Sequence, residues 1–185
     1  MTPSNWVRVR VAGLLVIAIV MQTTVLSGVR LDGVVPDLML LLSVAGGLAG
    51  GPERGAEIGF AAGLLADLFL QATPLGLTAL TFCLVGFAVG TLQGSVLRAG
   101  WWLPPFTALA ASAGGVLLFV GIGITVGQTQ LTHAGPVRLF EIAGIVGAVN
   151  ALLALPVTRA LVWVVRGPSG TALARQSQQD RAAVR

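Results

Sequence analysis

The chain has no lysine and no tyrosine, a single cysteine and a single histidine, and charged residues make up only 10% of its 185 positions. Soluble domains carry about 25% charge, so a water-solvated globule is excluded and an integral membrane protein is indicated. One thiol, Cys83 in the apolar run LTALTFCLVGFAVG, can form no intrachain disulfide and reads as a small core residue. His133, in QTQLTHAGP, has no second ligating residue nearby and reads as a loop residue rather than a metal ligand. Without lysine there is no Walker-type phosphate loop, and neither G-x-S-x-G, H-E-x-x-H nor a pair of intramembrane aspartates occurs. The expectation is a non-enzyme without cofactor or metal. The net charge of +4 comes from scattered arginines without interleaved aromatics, which argues against nucleic acid as a partner.

What the chain does have is hydrophobic length. Six apolar segments are expected as spans, over Val7–Ser27, Val34–Gly50, Gly55–Ala72, Leu75–Val96, Trp102–Val126 and Val137–Val165. Each comes near the ~20 residues that cross a ~30 Å hydrocarbon layer as a helix. Breakers such as RLDGVVPD, GGPERG, ATPLG and RAGWWLPP separate them. The first segment exceeds a signal-peptide core and lacks an A-x-A site, so it reads as an uncleaved span. Arg8, Arg10, Arg54, Arg98, Arg159, Arg166, Arg175, Arg181 and Arg185 fall on one side, against Arg30 and Arg138 on the other. The positive-inside bias then puts both termini in the cytoplasm. Residues 1–166 read as one six-helix transmembrane domain, all-α and polytopic. Residues 167–185 read as a basic tail, disordered or weakly helical.

One acid stands where charge is expensive. Asp67 lies in GFAAGLLADLFLQATPLGL, and a carboxylate near the centre of a membrane helix costs roughly 2.5 to 3.5 kcal/mol on insertion scales. Counted from Arg54 at about 1.5 Å per residue it is some 20 Å in, within the outer half of the layer. Gly55, Gly59 and Gly63 recur every four residues and Asp67 continues their stripe; Gly86, Gly90 and Gly94 form a matching series one span later. Such stripes are packing seams, because helices in lipid associate by close backbone contact. Pro74 ends the third span, so the Asp67 carboxylate can reach the first amides of the next helix, around Leu75, Gly76 and Leu77. That reading, an intramembrane clamp, is preferred to a proton relay because the other deep polar groups, Gln22, Asn150 and Glu141, are isolated. Asn150 reads as an interhelical hydrogen-bonder. Asp37 follows Pro36 at a helix start, as Glu53 follows Pro52. Two seams give more close-packing surface than one helix pair needs, so one is expected to be free for a partner or a second copy.

The run from Pro36 to Gly90 resembles the signature region of the MreD family of rod shape-determining membrane proteins. The resemblance rests on Pro36-Asp37-Leu38, Arg54-Gly55 before Gly59-Phe60 and Gly63-Leu64-Leu65, then Asp67, and Pro74-Leu75-Gly76 before Gly86-Phe87. Phe87 departs mildly from the tyrosine more usual there. The resemblance implies a six-helix arrangement similar to the substrate-binding subunits of energy-coupling-factor transporters. It also implies a scaffold of the elongation machinery in the cell membrane that binds MreC. Through MreC it would reach RodA, a class B penicillin-binding protein and MreB, with a homodimer open. The runner-up is a vitamin-binding transporter subunit, which would need polar and aromatic contacts beneath its outer loops.

Overall fold

A computed structural model describes residues 3–24, 28, 37–70, 75–98, 103–127 and 136–183, with side chains described for 7–24, 28, 37–70, 75–93, 104–127 and 137–164. All secondary structure among them is helical: α1 Pro3–Thr24, α2 Leu38–Leu70, α3 Leu77–Arg98, α4 Leu103–Thr125 and α5 Pro136–Ala183. Three helices are long and apolar enough to cross a membrane by length and composition, through Val7–Thr24, Pro104–Thr125 and Val137–Val164, with a shorter apolar stretch at Leu77–Gln93.

The expected second and third segments are the two arms of one helix, α2, broken at Gly51. Gly51 has φ 83 and ψ −172, a conformation that glycine adopts without Cβ strain, and Pro52 restarts the helix from the first-turn position that suits its fixed φ. The arms fold back on each other. In a straight helix Gly47 and Gly55 would be about 12 Å apart. Here a Cβ built on Gly55 would sit 2.8 Å from the Gly47 Cα, one on Gly46 would sit 3.1 Å from the Ile58 Cβ, and one on Gly59 would sit 2.6 Å from the Ser43 hydroxyl. Pairs at 47 and 55, 46 and 58, and 43 and 59 step apart symmetrically about Gly51, which is the pattern of an antiparallel hairpin.

The first arm is the centre of the molecule. Every residue from Met39 to Ala49 is buried, as expected of a helix that is apolar all round. Its neighbours bury one stripe each. In α1 the buried residues are Leu15, Ala18, Ile19 and Gln22, and in α5 they include Val146, Asn150, Ala154 and Leu161, at three- and four-residue spacing. The opposite faces are apolar as well: Val16, Ile17, Phe60, Phe69, Phe106 and Leu152 are all more than half exposed. A bundle apolar outside as well as inside is built for lipid, where hydrogen bonding within each helix satisfies the backbone.

The helix α5 continues unbroken to Ala183, so the segment after Gly167, expected as disordered or weakly helical, has helical backbone. Its TALARQSQQDRAA stretch is rich in good helix formers.

Candidate functional site

The glycine stripes meet one another. Substituting a Cβ at Gly47 would bring it to 2.5 Å from the Gly86 carbonyl oxygen and 2.8 Å from the Gly90 nitrogen. At Gly63 it would lie 2.5 Å from the Ala79 Cα and 2.6 Å from the Thr78 carbonyl oxygen. At Gly55 and Gly59 it would collide with the carbonyls of Gly86 and Phe82, and at Gly90 with Pro52 and Gly51. The second arm of α2 and α3 are therefore in backbone contact along their length, and Gly47 of the central arm closes the same seam from the third side. Ser43 fastens it, its hydroxyl donating to the Phe82 carbonyl at 2.6 Å in a fully buried position.

This corrects the expectation of a free seam. Gly55, Gly59 and Gly63 on one side, and Gly86 and Gly90 on the other, are consumed against each other. Three helical segments share the seam rather than two, which uses the surplus. Gly94 lies in α3 beyond the residues whose side chains are described, and Pro74 lies outside the described residues.

At the opposite end from Gly51, polar side chains hold helix starts. Asp67 is 2% exposed; its Oδ2 accepts from the Gly76 amide at 2.8 Å and the Ala79 amide at 3.3 Å. Gly76 has φ 99, the left-handed turn that lets its amide face the carboxylate while its carbonyl accepts from Leu80. A helix start offers amides without an intrahelical acceptor and the positive end of the dipole, which are what a carboxylate in lipid can use. Asp37 does the same at the start of α2, its Oδ1 accepting from the Leu40 amide at 2.9 Å. Gln22, near the end of α1, joins it from across the bundle: its Oε1 accepts from the Leu38 amide at 2.9 Å. Sequence reasoning left Gln22 as an isolated polar residue, because its partner is a backbone group sixteen positions away.

Gln22, Asp37, Asp67 and Thr78 also line a cavity of about 210 Å³, with Phe82, Val116 and Phe119 among its apolar walls. Deeper in the bundle Asn150, completely buried, donates from Nδ2 to the Ser112 hydroxyl at 2.9 Å and ties α5 to α4. Its Oδ1 has no partner. Glu141 forms an exposed pair with Arg138 at 2.7 Å, a contact of small energetic value. Arg10 stands 5.7 Å over the Trp163 ring and links α1 to α5. His133 and Trp102 lie outside the described residues, and among the described residues no group of acids, histidines or cysteines is arranged to hold a metal ion.

Glycines bring backbones together, Asp37 caps the start of its own helix, and Ser43, Asp67, Gln22 and Asn150 bond one helical segment to another. No curated protein and no solved structure matches the chain. The family model described as rod shape-determining protein MreD matches residues 5–162, which runs from near the start of α1 into α5 and extends well beyond the Pro36 to Gly90 signature. A multi-pass helical membrane protein with this match over nearly all of its length belongs to the MreD family of rod shape-determining proteins.

Proposed function

We propose that the protein is a non-enzymatic scaffold of the cell-elongation machinery, which binds MreC and helps to organise peptidoglycan synthesis and rod shape. Through MreC it connects to RodA, to a class B penicillin-binding protein and to MreB. It does so as a six-span protein with both termini in the cytoplasm, the two arms of α2 serving as the second and third spans. The observation that carries this reading is the use of polar groups. Ser43, Asp67, Asp37 and Gln22 bond to backbone of another segment or cap a helix start, and Asn150 bonds to Ser112. A scaffold needs such fixed geometry, and family membership supplies the process in which it acts.

A second reading, a vitamin-binding transporter subunit, is favoured by the cavity bordered by Gln22, Asp37, Asp67, Phe82 and Phe119. Purification from native membranes separates the two. The scaffold reading expects MreC to co-purify and no vitamin to be retained. A stoichiometric small vitamin with MreC absent would replace it with the second.

A further inference from the structure

On the edge of the bundle where Gly51 turns the chain, α1 and the second arm of α2 leave a groove of about 180 Å³ between them, lined by Arg8, Val11, Ala12 and Leu15 and by Arg54, Glu57, Ile58 and Ala61. The lining changes with depth. Arg8 and Arg54 stand at the edge, one on each wall, and the groove runs two turns from them, about 10 Å at ~1.5 Å per residue, its walls apolar below the arginines apart from Glu57. Val11, Ala12 and Leu15 descend on one side and Ile58 and Ala61 on the other, and Ala12 with Ala61 keeps the furrow open.

The guanidiniums are available. Among the described residues the ion pair is Arg138 with Glu141, so neither Arg8 nor Arg54 is paired. Arg10, on the next face of α1, is engaged over Trp163 instead. Arg54 is half-buried, its stem lying against Gly50, which directs its head to the rim. Glu57 is the acid in the groove, and one carboxylate leaves the two arginines in excess.

We infer that this groove is a binding site for one anionic phospholipid, its phosphodiester between Arg8 and Arg54 and an acyl chain in the furrow over Ala12 and Ala61. A guanidinium pair is the donor set that matches phosphate oxygens. A basic rim between membrane helices is a recurrent feature of headgroup sites. A protein helix would need the furrow to continue across the bilayer, whereas this one runs for two turns and begins with charge. Neither the rod-shape role nor contact with MreC is required for it.

Native mass spectrometry on the full chain tests the site, with phosphatidylglycerol and phosphatidylcholine of identical chains supplied in equal amounts. Phosphatidylglycerol should be retained preferentially. Arg8→Gln and Arg54→Gln should each lower that retention by about fivefold, the order expected for one basic residue at a membrane surface. Arg159→Gln, a basic residue outside the groove, should leave it unchanged. Glu57→Gln removes the opposing charge and should raise retention, a gain that misfolding cannot imitate. Equal retention of the two lipids, a matching loss with Arg159→Gln, or no gain with Glu57→Gln would overturn the assignment.

Discussion

Gly86→Ala is the smallest change that tests how the bundle is held. The added methyl would lie 2.7 Å from the Ser43 hydroxyl and collide with the Gly55 backbone, whereas an ordinary Cβ contact begins at 3.4 Å. Relief requires α3 to move away from the α2 hairpin by roughly 1 Å, because the obstructing atoms are backbone and cannot rotate aside. Overpacking of that kind costs about 1 to 3 kcal/mol. The same movement stretches the buried Ser43 to Phe82 bond of 2.6 Å, worth about another 1 kcal/mol. The alanine's better helix propensity returns only ~1 kcal/mol, so a net loss of about 1 to 3 kcal/mol is expected. Reversible unfolding in mixed micelles, followed by far-ultraviolet circular dichroism, reads it directly. Gly121→Ala in α4 is the control, since a Cβ there meets nothing within 4 Å; it should be neutral or stabilising by up to ~1 kcal/mol. If Gly86→Ala unfolds at the same point as Gly121→Ala, the seam does not hold these segments in backbone contact and the reasoning fails.

Three other outcomes follow from the same geometry. Asp67→Asn should keep a carbonyl acceptor for the Gly76 and Ala79 amides and unfold near wild type, whereas Asp67→Leu should lose about 1 to 3 kcal/mol in the same assay; equal stability of both would remove the helix-start role. Ser112→Ala should destabilise by about 1 to 3 kcal/mol through the orphaned Asn150 amide, and adding Asn150→Leu should recover part of that, so strictly additive losses in the double-mutant cycle would show no coupling. Reporter fusions at Thr73 and Gln130 should read outside and at Arg98 inside, and reversal at any two would end the six-span topology with cytoplasmic termini.

Hydropathy makes the apolar segments legible, and the GGPERG breaker marks where α2 turns, because a glycine before a proline and two charges cannot continue a buried helix. The reach of Asp67 to the next helix start is legible too, since acid and turn are close in sequence. Register is not. Both glycine stripes can be seen as stripes, yet nothing local says that Gly86 faces Gly55 and Gly47 together, because that depends on the central arm packing against both. Gln22 is hidden for the same reason: a side chain whose partner is a distant backbone amide leaves no pattern of residue types. The groove between Arg8 and Arg54 likewise needs two helices placed side by side before two scattered arginines become a pair.

The arm from Leu38 to Gly50 rises only about 20 Å, against ~30 Å of hydrocarbon, and once the bundle is assembled it touches almost nothing but protein. During synthesis it has no such protection. Alone it is too short to hold a position across the layer. Folded back beside it, the second arm adds no length but supplies the seam that fixes the first arm's position. The centre of the folded molecule is therefore held by contacts that the chain beyond Gly51 provides.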